Sequence, residues 1–433
     1  MVLPGEIPMP PRMADLKREI VQRYTTPENM TKAWNDLLEH LAKAAKNIKS
    51  ESSDLVPVVD FADLDKLDPK VIEQLKRRGC VVIRNIVPDE EVKVWKDDLK
   101  EYVKNNVDCE GIPEGDKQFF MLYWTKSQVR ARAHKNVLAT IAWMNKLYKT
   151  KSGVPIEGVD LGTPLSYADR FRIRHPGKAW DLHPPHIDGG SIERWEEPAF
   201  RTCFEEILKG NWMAHDPYEL EGRLNGKTSI YGRPNQSSVF RTFQGWLALS
   251  ETAPHEGTLK VFPDVTLSNT YLILRPFFRQ KEKLVTEDPL DAQNWEFDDS
   301  TPDFPGIFAR KVGFHGPRLT NASHPHMRLD ETMTSVPKVY PGDMVFWHCD
   351  VVHSVEVEHT GKGDSAVMYI PAVPLTPGNE AYILRQKDSF LKGIPPPDFP
   401  VGNGISENTF IGTGSTADIV DAAARRAMGL PLE

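Results

Sequence analysis

The sequence predicts an α+β protein that is mainly β, with a helical segment in front of the β-rich part. From Leu165 onward, short apolar runs alternate with turn residues, which is typical of a sandwich or barrel. Before Ser50, apolar residues recur at three- and four-residue spacing, as they do on amphipathic helices. The 433 residues suffice for a large core in one or two domains.

The first predicted elements are helices. Residues 11–50 are expected to be helical, because Thr26 can cap a helix whose first residue is Pro27. A helix over 69–78, a strand over 80–87 and a helix from 88 to about 105 follow. We therefore assign residues 1–55 to a helical N-terminal extension of the β-rich domain.

The β-rich domain is expected to span residues 56–374. Two long segments, 191–235 and 264–336, interrupt its strand pattern, and we expect them to be insertions that form lids or substrate-binding walls. Residues 375–433 are expected to form a tail whose terminal helix packs on the domain. The candidate strands cover 167–174, 185–188, 238–249, 257–262, 338–339, 343–347, 353–358 and 365–371.

Composition narrows the class of protein. The net charge of -8 argues against a nucleic-acid binder, which usually presents a basic face. No apolar run approaches membrane-spanning length, and the four scattered cysteines form no metal-type pair. We expect a cytoplasmic protein with free thiols, a small-molecule substrate, and neither a nucleic-acid nor a membrane partner. The sequence does not determine the oligomeric state.

The strongest candidate site is the segment His183–Gly190. On a β-strand, residues two apart point to the same face, so His186 and Asp188 can direct an imidazole and a carboxylate at one point. A second imidazole from another strand would complete a two-histidine, one-carboxylate triad. Such a triad holds iron(II) and leaves positions open for a co-substrate and dioxygen.

The second imidazole has two candidates. A Gly342–Asp343 turn enters an apolar strand that ends near His348 and His353, five residues apart and so on opposite faces of an unbroken strand. His183 is either close to the ligands or solvent-facing. His324 and His326 alternate as ligands would, but they lack a matching carboxylate and are expected at the surface or in a lid.

These motifs resemble the iron(II)- and 2-oxoglutarate-dependent oxygenases, especially the phytanoyl-CoA hydroxylase-like branch. The shared features are the His-x-Asp motif, the strands 244–249 and 257–263, and the Gly-Asp turn. Residues 240–246 and 368–372 are similar to a family known as domain of unknown function 1479. The resemblance implies a double-stranded β-helix (jelly-roll or cupin-like) core and makes His353 the distal ligand, so that His186, Asp188 and His353 are the expected catalytic and metal-binding residues.

The resemblance also implies 2-oxoglutarate as co-substrate, and its distal carboxylate needs a cation. The arginine expected about ten residues after the distal histidine is missing. Lys362 and Ser365 occupy that region, and Arg172 lies between Arg170 and Arg174 on one strand face. The expected cofactor-binding residues are therefore Arg172, Trp246, Lys362 and Ser365. If Trp246 faces inward, strict alternation places Thr242 and Gln244 inward and Arg241 outward.

The predicted function is oxidation of a C–H bond in a small molecule by an iron(II), 2-oxoglutarate-dependent dioxygenase. Arginines and tryptophans in the first insertion would suit an anionic or amino-acid-like substrate; they are Arg194, Trp195, Arg201, Trp212, Arg223 and Arg233. One alternative is a cupin-like metalloenzyme that uses the same triad without 2-oxoglutarate. Another is a non-catalytic scaffold of the same fold.

Overall fold

The computed structural model describes residues 7–432. The helices are α1 (Arg12–Tyr24), α2 (Pro27–Glu51), α3 (Pro69–Arg78), α4 (Asp89–Asn105), α5 (Lys126–Ala133), α6 (Lys135–Asn145), α7 (Glu193–Glu196), α8 (Pro198–Arg201), α9 (Glu205–Leu208), α10 (Glu221–Asn225), α11 (Val265–Leu274), α12 (Leu329–Thr332), α13 (Pro377–Lys392) and α14 (Ala422–Ala427). The strands are β1 (Val58–Asp60), β2 (Cys80–Arg84), β3 (Gly111–Ile112), β4 (Phe119–Phe120), β5 (Asp160–Pro164), β6 (Phe171–Arg174), β7 (Phe243–Ala248), β8 (Leu259–Val261), β9 (Phe278–Gln280), β10 (Trp295–Phe297), β11 (Phe308–Ala309), β12 (Phe314–His315), β13 (Thr334–Ser335), β14 (Met344–His348), β15 (His353–Val355), β16 (Ser365–Tyr369) and β17 (Pro374–Leu375).

The centre of the fold is an eight-stranded sheet with the order β1-β2-β14-β7-β16-β6-β4-β3. Its strands pair antiparallel except for the parallel pair β1–β2. Strand β7 is buried along its whole length, because neighbours on both edges and side chains on both faces cover it. The predicted mainly β core is thus a large antiparallel sheet, and the β-helical closure implied by the resemblance stays a prediction.

A smaller sheet, β13-β8-β15, carries the distal histidine. The predicted strand over 185–188 is an extended segment that continues this sheet through isolated bridges. His186 exchanges both backbone hydrogen bonds with His353, at 2.9 and 3.0 Å, and is bridged to Arg318 on its other side. Residues 185–187 are therefore held between β15 and the segment 317–319.

The N-terminal helices pack on the second insertion. Trp34 of α2 is buried and stacks on Phe278 with ring centroids 4.4 Å apart, and Tyr271 and Trp295 complete the cluster. Thr26 caps α2 as predicted, since its hydroxyl accepts a hydrogen bond from the Asn29 amide.

Several predicted elements differ from the observed ones. The prediction of a strand at 338–339 was wrong, because Val339 makes only an isolated bridge to Thr252. Helices α5, α6 and α13 have no counterpart among the predicted elements. The second insertion, where no strands were predicted, contains the antiparallel pairs β9–β10 and β11–β12. All four cysteines are free. Within residues 7–432, no helix combines the length and apolar character needed to cross a bilayer.

Candidate metal centre

The structure brings His186, Asp188 and His353 together. Their ligand atoms all lie within 4.8 Å of one another. The Asp188 carboxylate is 3.8 Å from His186 Nε2 and 3.4 Å from His353 Nε2, and the two ring centroids are 4.2 Å apart. Two imidazole nitrogens and one carboxylate thus converge on one point, which is the donor set of a facial triad.

Hydrogen bonds at the far sides of the rings orient both imidazoles. His186 Nδ1 lies 2.6 Å from the Pro184 carbonyl oxygen and His353 Nδ1 lies 3.0 Å from that of Val351. A carbonyl only accepts, so each Nδ1 carries the hydrogen and each Nε2 is left with its lone pair. This is the tautomer that a metal ligand requires.

The Asp188 carboxylate is oriented from the large sheet. Gln244 Nε2 donates a 2.6 Å hydrogen bond to Asp188 Oδ2, and Trp347 Nε1 donates to Gln244 Oε1 at 2.8 Å. The indole decides which end of the Gln244 amide faces the carboxylate. The chain then turns sharply at Gly189 and Gly190, whose φ angles of +70° and +111° suit glycine.

Electrostatics favours a neutral imidazole beside an ionised carboxylate. Burial, followed by the neighbouring His353, lowers the pKa of His186 to about 4. Burial alone would raise the pKa of Asp188, but His186 and His353 outweigh it and hold that pKa well below its usual range. His186 and Asp188 are therefore in the protonation states that bind a metal near neutral pH, and two imidazoles with one carboxylate fit a divalent iron ion.

The triad lies in the wall of a cavity of about 270 Å³. The Asp188 side chain is 43% exposed, so the side of the triad away from the sheet is open to this space. Aromatic side chains and arginines dominate the wall; they include Phe119, Tyr167, Trp246, Trp347, Tyr369, Phe399, Arg170, Arg172, Arg233, Arg241 and Arg318.

Arg172 is the most unusual of these residues. It is 2% exposed on β6, yet its single hydrogen bond goes from Nη2 to the Gly257 carbonyl oxygen at 3.4 Å. Its Nε and Nη1 atoms are buried and have no hydrogen-bond partner among the described residues. Burying an unpaired guanidinium is costly. Arg172 therefore has no counter-anion among the described residues. An anionic ligand bound in the cavity would provide one.

Two of the expected cofactor-binding residues lie elsewhere. Lys362 is exposed in the turn before β16 and is not part of the cavity wall. Ser365 is buried at the start of β16, opposite Arg174, and is also outside the wall. Strand β16 pairs Ser365 with Arg174 and Val367 with Arg172, so Ser365 lies two residues away from the position beside Arg172. The expected role of Lys362 and Ser365 in holding the co-substrate therefore finds no support in the composition of the cavity wall.

Trp246 lines the cavity, but the orientation predicted for Arg241 was wrong. Arg241 also lines the cavity, over the ring of Tyr167, whereas Thr242 is directed away from it and donates to Asn145. Alternation fails at this point because β7 begins only at Phe243.

Arg170 and Arg174, the arginines on either side of Arg172, have hydrogen-bond or ion-pair partners within the protein. Arg174 donates to the carbonyl oxygens of Glu356, Val357 and Lys178 at 2.6 to 3.0 Å. Arg170 lies 2.9 Å from Asp169 Oδ1. Both guanidinium groups are thus occupied by structural partners, in contrast to Arg172.

His348, the other candidate for the distal ligand, lies outside the cavity. It is fully buried, and its Nε2 is 2.6 Å from the Tyr148 hydroxyl. Next to it, Asp350 forms ion pairs with Arg194, at 2.6 Å, and with Arg223. These arginines stabilise the fold rather than line the cavity.

The remaining candidates lie either in the core or in the cavity wall. His324 and His326, expected at the surface or in a lid, are buried around Tyr271, so the surface location was wrong. His183 lines the cavity and accepts a 2.7 Å hydrogen bond from Trp180 Nε1. Of the arginines predicted in the first insertion, Arg233 is the one that lines the cavity.

Sequence reasoning did not assign roles to Gln244 and Arg318. Gln244 was placed inward by alternation, which was the available signal. Arg318 follows a Gly-Pro pair in an irregular segment, and no periodic pattern there predicts its position beside His186.

Comparison with known proteins places this chain among relatives of similar length. It is 31% identical over 416 residues to the uncharacterized protein YbiU of Escherichia coli (strain K12), covering 92% of this chain and 91% of YbiU. The crystal structure of GlcNAc Inducible Gene 2, GIG2 (DUF1479), from Candida albicans matches with TM-score 0.86 and 33% identity over 98% of this chain and 90% of that one.

Oxygenase structures are matched much more weakly. EctD from S. alaskensis, with 2-oxoglutarate and 5-hydroxyectoine, gives TM-score 0.38 and 11% identity over 72% of this chain and 77% of that one. A similarity at this level says nothing about the chemistry of this chain. The predicted relationship to domain of unknown function 1479 is confirmed at the level of the family, whose pattern matches residues 7–430. The chain belongs to the Gig2-like family.

Proposed function

We propose that this protein is an iron(II), 2-oxoglutarate-dependent oxygenase that oxidises a C–H bond of a small molecule. The observation that carries the proposal is the convergence of His186 Nε2, Asp188 and His353 Nε2 in the wall of a cavity. Both imidazoles have their Nδ1 atoms bonded to carbonyl oxygens, so the nitrogens that face the cavity are free to bind a metal.

In such a reaction the protein would hold the metal ion, orient its ligands and exclude water. When bound, iron(II) would couple decarboxylation of 2-oxoglutarate to succinate with transfer of one dioxygen atom to the substrate. His186, Asp188 and His353 would hold the ion on one side and leave the other side to ligands from the cavity. Gln244 would keep the carboxylate fixed, and the aromatic wall would limit the access of water.

Arg172 is the residue best suited to bind the distal carboxylate of 2-oxoglutarate. It is buried, lines the same cavity as the triad, and has two nitrogen atoms without partners among residues 7–432. A carboxylate there would replace the missing counter-anion with charge-assisted hydrogen bonds. This supports a 2-oxoglutarate site even though the arginine expected after His353 is missing.

The test is an anaerobic titration of the full-length chain with iron(II), with and without 2-oxoglutarate. We expect a weak visible charge-transfer band only when both are present, and its loss in Asp188→Ala. Arg172→Ala tests the binding of 2-oxoglutarate in the same titration. Its matched control is Arg18→Ala, which removes an exposed guanidinium paired with Asp15.

Each alternative predicts a different result. Tight iron binding without the band would support a cupin-like metalloenzyme that does not use 2-oxoglutarate. A failure to bind iron would contradict the proposal and would support a non-catalytic scaffold.

A further inference from the structure

A row of cross-strand neighbours places a cation beside the triad. His353 is paired with Val261 of β8 on one side and with His186 on the other, and His186 is bridged to Arg318. Side chains that are directly opposite on neighbouring strands share a face and lie about 5 Å apart. The Arg318 side chain therefore emerges on the face that carries both histidine ligands, next to His186.

Two further basic side chains reach the same wall. Arg233 of the first insertion and His315 of β12 line the cavity together with Arg318. Burial, then Arg318 and Arg233, lowers the pKa of His315 to about 4, so these groups interact electrostatically. His315 Nδ1 is buried without a hydrogen-bond partner in the described part of the chain.

The acidic side chains near this cluster, Glu193 and Asp188, attract Arg233 without forming an ion pair with it. Within residues 7–432, neither Arg233 nor Arg318 forms an ion pair. The carboxylate of Glu193, which is near Arg233, instead accepts hydrogen bonds from the Ser191 amide and from Gln236. Like charges held together without a counter-ion are unfavourable, and a bound anion would relieve the repulsion.

The cluster is separate from Arg172. Arg172 contacts the Gly257 carbonyl, two residues before β8, whereas Arg318 lies on the segment beyond His186. With strands about 4.8 Å apart, three spacings or about 14 Å separate β8 from the segment 317–319. The triad lies between the two cations, so one ligand on each side can reach it.

We propose that Arg233, His315 and Arg318 bind an anionic group, a carboxylate or a phosphate, of the substrate. The substrate class is thus a small carboxylic acid or phosphate ester, whose anionic group binds here while a nearby carbon faces the triad. This inference rests on the proposed oxygenase function, which supplies the reaction at the triad.

The test is calorimetric titration of the full-length, metal-free protein with inorganic phosphate and, separately, with acetate. The metal-free form is used because a metal at the triad would itself bind either anion. We expect binding of at least one probe by the wild-type protein, weakened at least tenfold in Arg318→Ala and Arg233→Ala. Arg18→Ala, whose guanidinium is exposed and paired with Asp15, should bind it as the wild type does.

The outcomes separate the two proposals. Preference for phosphate or for acetate identifies the anionic group of the substrate. Failure of both probes to bind, or equal binding by Arg318→Ala and wild type, would overturn the anion site. If the site is present but the charge-transfer band never forms, the oxygenase proposal fails and the anion site stands.

Discussion

Within residues 7–432 there are two clusters of potential metal ligands, and their surroundings differ. The open cluster is His186, Asp188 and His353, and the saturated cluster is His348, Cys349 and Asp350; in each, the ligand atoms lie within 4.8 Å of one another. The Asp350 carboxylate is 1% exposed, whereas that of Asp188 is 43% exposed and faces the cavity.

The difference lies in how the carboxylate is compensated. Arg194 and Arg223 neutralise Asp350 and hold its pKa well below the usual range, although burial alone would raise it. The Asp188 carboxylate accepts a hydrogen bond from the neutral amide of Gln244 and lies beside two imidazoles whose Nε2 atoms are free. Proximity of ligand types is therefore not sufficient for a metal site, since the saturated cluster has no coordination left to offer.

The largest effect is expected from Asp350→Ala. It leaves Arg194 and Arg223 buried without their carboxylate, and breaking such a network costs about 3–5 kcal/mol. Urea denaturation should show this loss of unfolding free energy. Asp188→Ala, the matched control in the open cluster, should unfold close to wild type; equal destabilisation of the two variants would remove the distinction between the clusters.

Substitutions by asparagine at the same two positions should have the opposite order of effects on iron binding. Asp188→Asn removes the anionic ligand, and we expect the affinity for iron(II) to fall by at least about 100-fold, or about 2.7 kcal/mol. Asp350→Asn should retain the affinity wherever it remains folded. Anaerobic titration measures both, and unchanged affinity in Asp188→Asn would show that the open cluster does not bind the metal.

Arg172→Met tests the cavity arginine against the arginines of the saturated cluster. Loss of charge-assisted hydrogen bonds should weaken the affinity for 2-oxoglutarate by about 10–100-fold, or about 1.4–2.7 kcal/mol. Because Arg172 has no internal ion pair, the free energy of unfolding should hold or rise. Arg174→Met, by contrast, leaves three carbonyl oxygens without their hydrogen-bond donor. It should lower the free energy of unfolding without weakening the affinity for 2-oxoglutarate.

Gln244→Leu should have a smaller effect that acts through Asp188. The variant removes the 2.6 Å hydrogen bond to a proposed metal ligand, and such changes weaken metal affinity by about 10-fold. Gln244→Glu, which cannot donate while ionised, should weaken it as well. If both variants bind iron as tightly as the wild type, Gln244 does not position the carboxylate.

The smallest effect concerns the pH dependence of the saturated cluster. Burial, together with Arg223, lowers the pKa of His348 to about 3 although Asp350 opposes the shift. Below an unfolded pKa of about 6.5 the unfolded chain binds a proton that the folded protein does not, so stability falls as the pH falls. His348→Gln should remove about 1 kcal/mol of that loss between pH 6.5 and 5.5, whereas His40→Gln at the surface should not.

The parts of the fold that follow local rules were predictable from the sequence. Helix α3 has its predicted bounds, and Thr26 and Pro27 begin α2, because caps and first-turn prolines act within four residues. Local periodicity also placed His186 and Asp188 on one face. These predictions depend on backbone geometry, which any chain with this spacing shares.

The parts that depend on distant contacts were not predictable. Strand register brings Arg318 beside His186 and leaves Arg172 Nε and Nη1 buried without a partner among the described residues, and no local pattern encodes either placement. His324 and His326 were expected at the surface or in a lid, but both are buried because they pack against Tyr271.

By itself, the sequence determined the ligand types, their two-residue spacing and the glycine turn that follows them. The family resemblance favoured His353 over His348, but only the tertiary structure shows which imidazole faces the cavity and which meets Tyr148. The physical reason is that a ligand's identity is a property of one residue, whereas its availability depends on every partner that competes for it.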